Sequence, residues 1–449
     1  MKHRPGWVVA TVVAVALFGC ARGTTTAGYE SAADGGFAPA PTFSGPAGVA
    51  CTNLQCRQQA CTGAAKTSVS GTVFDPAGKS PLYNVIVYVP NAPLEPQKEG
   101  ASCERCGSVL SGQPIATALT DTHGHFVLQN VPSGKDVPIV VQIGKWRRQI
   151  TLPEVGACRD NSYMDAETFR LPKNHFEGEI PRIALSTGCD PMECLLRKIG
   201  IDDAEFTAGD GPGRVHLYRG TGGAGVAGST SAYDFWADEA KLSKYDVLIN
   251  ACECKPYARG AGAYKAMSSF LDKGGRFFGS HYHYNWFTDV PSETDEAVDW
   301  TPGGKCNVGP NFVDDTFPKG KAMAEWLMVT GASTTYGVVP LSCAPLDVGR
   351  TKNKLATGWI YDGPTQAPSY VSFNTPVTAA DPSDQCGRAV FADLHVTEEE
   401  RGDIAGLEFP NGCHTTDQSA QEKALEFMFF DLSSCIQPDQ DVPRPPIIP

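Results

Sequence analysis

The chain has 449 residues, 16 cysteines and a formal net charge of −13 at pH 7. This excess of acidic side chains argues against nucleic acid as a partner, because binding to phosphates depends on Lys and Arg. A chain of this length also exceeds the size at which a single hydrophobic core stops growing, so two or more domains are predicted.

The first 20 residues have the pattern of a secretory signal, with a basic start, an apolar run and small residues at its end. The apolar run at 7–18 is too short to span a bilayer. Residues 17–20, Leu-Phe-Gly-Cys, resemble the lipobox of bacterial lipoproteins. The resemblance implies cleavage before Cys20, lipidation of that cysteine and attachment to the outer membrane or cell surface. An ordinary signal peptide with an incidental Cys20 is the alternative.

The cysteines of the remaining chain are expected to form disulfides, as is usual in an exported protein. Removing Cys20 from the sixteen leaves fifteen, an odd number, so at least one thiol must be free, metal-bound or paired with another chain. The disulfide candidates are Cys103, Cys106, Cys189, Cys194, Cys252 and Cys254. Cys252 and Cys254 are too close in sequence to bridge each other easily. We expect one or both to bond to the C-x₄-C pair that precedes them.

Two short segments precede the first predicted domain. Residues 21–50 consist mainly of Gly, Ala, Ser, Thr and Pro, a composition that predicts a flexible tether. Residues 51–66 carry Cys51, Cys56 and Cys61 at equal spacing. They predict a small disulfide-stapled unit, with a zinc site as the less favoured alternative because no histidine is near.

Residues 67–158 have an apolar period of two, in short β-branched runs separated by Pro and Gly turns, which predicts an all-β sandwich. Within it, Thr-Asp-Thr-His-Gly-His-Phe at 120–126, followed by Val-Pro-Ser-Gly at 131–134, resembles the carboxypeptidase regulatory-like domain. In this motif Asp121 can close a turn and Gly124 can supply a positive φ. The resemblance implies a fold and no chemistry, because the domain is non-catalytic in that family.

After a connector at 159–179, the pattern over 180–436 changes to strands alternating with helices. The apolar strand-like segments include residues 182–188, 214–218, 245–252, 276–280 and 388–393. Short apolar strands separated by helices predict βαβ units and a parallel sheet. A closing amphipathic helix is predicted at 419–432, and the proline-rich tail at 437–449 is expected to be loose.

Parts of this second domain resemble the ThuA-like branch of the class I glutamine amidotransferase-like proteins. The matching segments are residues 245–249, 274–281 and 387–391, with His395 after the last. The resemblance implies a flavodoxin-like three-layer α/β domain. In amidotransferases the strand after the glycine pair enters a Gly-x-Cys-x-Gly elbow, whereas residues 279–283 here read Gly-Ser-His-Tyr-His. His281 therefore occupies the nucleophile position, which disfavours a Cys or Ser mechanism and makes an enzyme the less favoured expectation.

Ligands of doubly wound sheets bind beyond the carboxyl ends of the strands. We expect His281, His283, His395 and Asp393 to gather at that edge. Imidazole and carboxylate groups suit zinc or another divalent metal, so a metal-dependent or ThuA-like hydrolase is one hypothesis. The alternative is that these groups line a polar cleft or satisfy a buried network.

The favoured hypothesis is a membrane-anchored lipoprotein that binds a saccharide or cell-envelope component without catalysis. It depends on aromatic rings interleaved with amide and imidazole donors, which suit sugars. The predicted ligand cleft consists of Tyr282, Tyr284, Asn285, Trp286, Asn250 and Glu253. A purely structural envelope protein is a third possibility.

Overall fold

A computed structural model describes residues 51–63, 65–305, 309–342, 344–396, 405–446 and 448. The predicted signal peptide, Cys20 and the tether at 21–50 lie outside these residues, so their assignment stays a prediction. In the part of the chain that the structure describes, no helix is long and apolar enough to cross a membrane.

Two small sheets form over the region predicted as a sandwich, and one of them takes its last strand, at 160–163, from the segment predicted as a connector. One has the strand order β4-β1-β7 and the other the order β3-β2-β5-β6. Their strands are β1 (Ser68–Thr72), β2 (Ile86–Pro90), β3 (Pro114–Leu119), β4 (His125–Gln129), β5 (Gly134–Ile143), β6 (Trp146–Val155) and β7 (Asp160–Tyr163). Before β4, Asp121 accepts hydrogen bonds from the backbone N–H groups of His123 and His125 at 2.8 and 2.9 Å. Gly124 has a φ of +71°, so both residues of the turn act as the motif predicts.

A ten-stranded mixed sheet, in the order β15-β14-β17-β18-β19-β12-β11-β8-β10-β9, follows. Its strands are β8 (Ile183–Thr187), β9 (Phe206–Ala208), β10 (Val215–Arg219), β11 (Val247–Asn250), β12 (Arg276–Ser280), β14 (Pro310–Val313), β15 (Val338–Pro340), β17 (Thr357–Asp362), β18 (Pro368–Thr375) and β19 (Gly387–Ala392), and a separate pair is formed by β13 (Val298–Trp300) and β16 (Val348–Thr351). From β19 to β9 neighbouring strands are parallel, as predicted. From β19 to β15 they are antiparallel.

Side chains of the parallel strands alternate between two hydrophobic clusters, because successive residues of a strand point to opposite faces of a sheet. In β11, for example, Val247 and Ile249 belong to one cluster and Leu248 to the other. The helices are α1 (Met192–Lys198), α2 (Ala232–Trp236), α3 (Glu239–Leu242), α4 (Ala261–Asp272), α5 (Asn285–Thr288), α6 (Pro318–Val329) and α7 (Ala420–Ser433). Residues of α1, α6 and α7 join the first cluster and residues of α2, α3 and α4 the second.

The first cluster also contains the core of the β-sandwich, so the two predicted domains share one hydrophobic core. Trp146 of β6 is fully buried and packs edge-on against Phe429 and Phe430 of α7. On α6, the indole N–H of Trp326 donates a hydrogen bond to the carbonyl of Pro81, at 2.5 Å. The sandwich is therefore built into the same compact unit as the α/β region rather than held apart as a separate arm.

Six disulfides are present among the described residues, which confirms the prediction of disulfide bonding. They join Cys51–Cys56, Cys61–Cys158, Cys103–Cys386, Cys106–Cys435, Cys189–Cys254 and Cys194–Cys413. The bond from Cys254 to Cys189 is one that the spacing favoured. Cys252 is not in this set, and its sulfur lies in the site described below.

The tail that was expected to be loose is anchored by a buried ion-pair group. Asp439 accepts hydrogen bonds from Arg388 at 2.8 Å and from Ser372 at 2.7 Å. Lys319 and Asp431 complete the group. The prediction of a loose tail was therefore wrong for its first residues, because a proline-rich composition does not show that one aspartate inserts among buried cations.

Candidate metal centre

Three adjacent parallel strands bring the site together at the carboxyl edge of the large sheet. Cys252 stands two residues after β11, His281 directly follows β12, and His395 stands three residues after β19. Because β11 and β19 both pair in parallel with β12, their carboxyl ends lie side by side. This is the edge at which doubly wound sheets bind ligands, and the prediction places His281 and His395 there.

The possible metal-binding atoms of Cys252, His281 and His395 all lie within 4.8 Å of one another. Each side chain is buried, with exposed fractions of 1%, 3% and 3%. Cys252 Sγ is 3.5 Å from His281 Nδ1, and the rings of His281 and His395 are 5.0 Å apart between centroids. Sequence reasoning missed Cys252 as a member because it counted this residue among the disulfides.

The backbone turns sharply where β12 ends. His281 has a φ of +41°, a region that is uncommon for residues other than glycine and is often found at functional sites. A 3₁₀ turn over His281–Tyr284 follows directly. Residues at i and i+2 share a side only on an extended segment, so this turn separates His281 from His283.

His283 lies outside the cluster, in a buried network of its own. Its Nδ1 accepts hydrogen bonds from Arg259 at 2.9 Å and from Trp286 at 3.1 Å, while Nε2 donates to the carbonyl of Ala251 at 2.7 Å. Burial and then the charge of Arg259 hold the pKa of His283 well below its usual value. The ring is therefore neutral, but both of its nitrogens are used in hydrogen bonds, which makes His283 a poor metal ligand.

Half of the six residues of the predicted ligand cleft, Glu253, Asn285 and Trp286, belong to this same buried network. The guanidinium of Arg259 lies between the rings of Trp236 and Trp286, 4.7 and 4.6 Å from their centroids. It also contacts Asn285 and pairs with Glu253 at 2.9 Å. These contacts explain the aromatic run after β12 as packing around a buried cation.

The remaining cleft residues divide between core and rim. Asn250 is buried and accepts hydrogen bonds from Ser186 at 2.8 Å and from Trp236 at 3.2 Å. Tyr284 is also buried, with an exposed fraction of 7%. Tyr282 is partly exposed, and its ring stacks on His281 with 3.8 Å between centroids. Tyr282 is therefore a residue of the predicted cleft that contacts the cluster.

Two buried carboxylates lie behind the cluster. Asp393 accepts a hydrogen bond from the backbone N–H of Asp347 at 3.1 Å, and burial together with the charge of Asp347 raises the pKa of Asp393 well above its usual value. Asp347 Oδ2 lies 3.5 Å from His281 Nε2. Asp393 thus contacts the backbone of Asp347, and Asp347, which no sequence motif indicated, is a carboxylate next to His281.

The distance between Cys252 Sγ and His281 Nδ1 fits a bound zinc ion. Zn–S and Zn–N bonds of about 2.3 and 2.0 Å, at a tetrahedral angle, correspond to an S···N distance of about 3.5 Å. The distance from Cys252 Sγ to His281 Nδ1 is 3.5 Å. A thiolate and two imidazoles are also a donor set that zinc and copper prefer. The contact of Asp347 with Nε2 leaves Nδ1 of His281 to face the sulfur, as expected of a carboxylate that orients a ligand histidine.

No protein-family model matches the sequence, and no curated protein matches it significantly. Among solved structures, similarity is found to the N-terminal domain of mmIFT52, with 10% identity, 56% of this chain and 97% of that chain covered, and a TM-score of 0.31. A cytoplasmic protein from Salmonella typhimurium has 13% identity, coverage of 53% and 84%, and a TM-score of 0.25. A putative ThuA-like protein from Bacteroides uniformis has 10% identity, coverage of 56% and 90%, and a TM-score of 0.24. A ThuA-like protein is thus among the structural neighbours of this chain.

Proposed function

We propose that this protein binds one zinc ion through Cys252, His281 and His395. The observation that carries the proposal is the convergence of the three buried side chains, with a sulfur–nitrogen separation equal to that of a tetrahedral zinc site. A thiolate and two imidazoles supply three of the four donors that a tetrahedral zinc ion takes.

Hydrolysis is the reaction class that we propose for the site. Three protein ligands leave a fourth position for water, the arrangement of catalytic zinc centres, in which the pKa of the bound water falls to about 7. In this proposal Asp347 holds the orientation of His281, and Tyr282 forms the partly exposed wall next to the ion. The saccharide-binding hypothesis has less support, since two of its proposed aromatic residues, Tyr284 and Trp286, are buried, and Trp286 packs against the guanidinium of Arg259.

We further propose that the protein is an exported lipoprotein anchored through Cys20 and that the α/β region is flavodoxin-like. Six disulfides support export, because disulfides persist in oxidising compartments. Without the three-residue edge strand β9, the five parallel strands β8, β10, β11, β12 and β19 can be renumbered 1 to 5 in chain order, and their order across the sheet is then 2-1-3-4-5. This is the strand order of flavodoxin-like sheets.

Metal analysis of the exported protein tests the metal proposal. We expect about one equivalent of zinc per chain, lost in Cys252→Ser and His395→Ala but retained in His123→Ala, which removes an exposed histidine of the sandwich. Hydrolysis of ester and glycoside substrates should disappear on chelation and return with zinc. Metal-free wild-type protein, or full zinc content in the double variant C252S/H281A, would refute the proposal.

A cysteine hydrolase is the second candidate, favoured by one specific observation. Asp347, His281 and Cys252 form a relay in which Oδ2 is 3.5 Å from Nε2 and Nδ1 is 3.5 Å from Sγ. A histidine placed in this way can activate a thiol. The two candidates differ in one experiment: a thiol enzyme stays active after chelation and is inactivated by alkylation of Cys252, whereas a zinc enzyme loses activity on chelation.

A further inference from the structure

Asp190 lies in the loop after β8 and touches all three chain segments that carry the proposed ligands. Its Oδ1 accepts a hydrogen bond from the backbone N–H of Val396, at 2.7 Å. Val396 is the residue after His395, so this bond fixes the backbone next to that ligand. Asp190 is 2% exposed, which keeps the bond away from competing water.

The second carboxylate oxygen reaches the other two segments through a serine. Ser280 Oγ, immediately before His281, donates to Asp190 Oδ2 at 3.4 Å. The same hydroxyl accepts a hydrogen bond from the backbone N–H of Cys252 at 2.9 Å. The backbone N–H of Asp190 also donates to the carbonyl of Cys252, at 3.3 Å. One aspartate and one serine thus connect the segments of Cys252, His281 and His395.

A covalent bond holds the same loops in place. Cys189, next to Asp190, is bonded to Cys254, two residues after Cys252. The disulfide limits how far the loops after β8 and β11 can separate. Within that limit, the hydrogen bonds of Asp190 determine the relative position of the ligand-bearing backbones. Groups that orient ligands in this way typically change metal affinity by about 10- to 100-fold when they are removed.

We infer that Asp190 is a positioning residue that preorganises Cys252, His281 and His395 for the metal ion. The inference rests on the proposed zinc site. Asp190 acts through Val396 and Ser280, and its own carboxylate is used by these hydrogen bonds. A buried carboxylate in this position also adds negative charge near a cation, which favours metal binding over an empty site.

The test is zinc affinity, measured by competition with a chromophoric chelator on the full exported protein. Asp190→Ala is expected to weaken zinc binding about 10- to 100-fold. Asp190→Asn keeps an acceptor for the N–H of Val396 and should lose less. Ser280→Ala removes the acceptor of the Cys252 N–H and should weaken binding in the same direction, which keeps the inference testable if Asp190→Ala does not fold.

Asp246→Asn is the matched control. Asp246 is buried like Asp190 but stands at the opposite end of β11, where it pairs with Lys145 at 2.5 Å. This variant should lose stability and keep its zinc affinity. Cobalt(II) gives a second readout, because its thiolate and ligand-field absorption report coordination geometry, and we expect changed spectra in the Asp190 and Ser280 variants alone.

The outcomes separate the inference from the function on which it rests. If wild-type protein binds neither zinc nor cobalt, the proposed metal site fails and the inference falls with it. If wild-type protein binds zinc and the Asp190 and Ser280 variants bind it equally well with unchanged cobalt spectra, the metal site stands and the positioning role is refuted. An equal loss in Asp246→Asn would also refute it, since a general loss of stability would then explain the data.

Discussion

Glu193, near the start of α1, should make the stability of the protein fall as pH rises. Its side chain is fully buried, and no other side chain among the described residues donates a hydrogen bond to its carboxylate. Burial, with a smaller contribution from the charge of Asp190, raises the pKa of Glu193 from 4.5 to about 8. The folded protein therefore holds this group protonated at neutral pH, whereas the unfolded chain releases the proton.

The sign and size of the effect follow from this difference. Below pH 4.5 both states are protonated and Glu193 carries no penalty; as pH rises from 4.5 to about 8, the folded state loses stability relative to the unfolded state. At about 1.4 kcal/mol per pH unit, the full change is at most about 5 kcal/mol. Glu193→Gln removes the titration, so the variant should gain on the wild type progressively over this range.

Urea unfolding followed by circular dichroism, at pH values from about 5 to about 9, measures how the unfolding free energy depends on pH. We expect the difference in unfolding free energy between Glu193→Gln and wild type to be small at the lowest pH and largest at the highest. Glu177→Gln is a control without pH dependence in this range, because a hydrogen bond from Arg170 lowers the pKa of Glu177 from 4.5 to about 2, and its contribution is lost only as pH falls below 4.5. Parallel curves for Glu193→Gln and wild type would refute the reasoning.

Three further predictions follow from the packing and from the site. Trp146→Ala should lower the unfolding free energy by about 3–5 kcal/mol in one cooperative transition, since the indole packs between the sandwich and α7. Two unfolding transitions, of which only one is shifted, would contradict the shared core. Asp75→Asn should reduce the loss of stability at rising pH, because burial and the neighbouring Glu426 raise the pKa of Asp75; an unchanged pH profile would argue against this. Removing zinc with a chelator should lower the unfolding free energy, measured by thermal melting, by about 3 kcal/mol relative to protein in free zinc at about 100 times the Kd for zinc. Cys252→Ser should show no such difference between the two conditions.

The sequence predicted individual elements of the fold well where a local pattern determines them. The strand predicted at 276–280 is β12 (Arg276–Ser280), and the helix predicted at 419–432 is α7 (Ala420–Ser433). Ser419 and Glu422 form the capping box that starts this helix, so its amino end was encoded in adjacent residues. Periodicity and capping are local properties, and a sequence displays them directly.

The site was only partly predictable, because its geometry depends on contacts between distant segments. The histidines after β12 and β19 were found from the rule that parallel strands end at one edge. The role of Cys252 depended on which cysteine bonds to Cys189, and spacing alone does not determine that choice. His283 was placed with His281 because the turn that begins at φ +41° has no signature in the sequence.

The relation between the two predicted domains was also beyond local patterns. Strand and helix periodicity predicted two domains with separate cores, since each region shows its own pattern. The apolar surface of α7 is buried on nearly all sides, however, and part of it packs against Trp146 of the sandwich. A helix that is apolar on all sides is expected to pack against other elements on every face, but its sequence does not show which elements these are.

The disulfides Cys103–Cys386 and Cys106–Cys435 link the sandwich covalently to the α/β region at a second and a third point besides the backbone. Phe176, in the segment between the sandwich and β8, is 87% exposed and is an accessible point for a protease. A cut there divides the polypeptide into two fragments, yet the two bonds keep them in one covalent molecule until they are reduced. The lipid proposed on Cys20 would therefore still hold the half that carries the proposed zinc site at the membrane after such a cut.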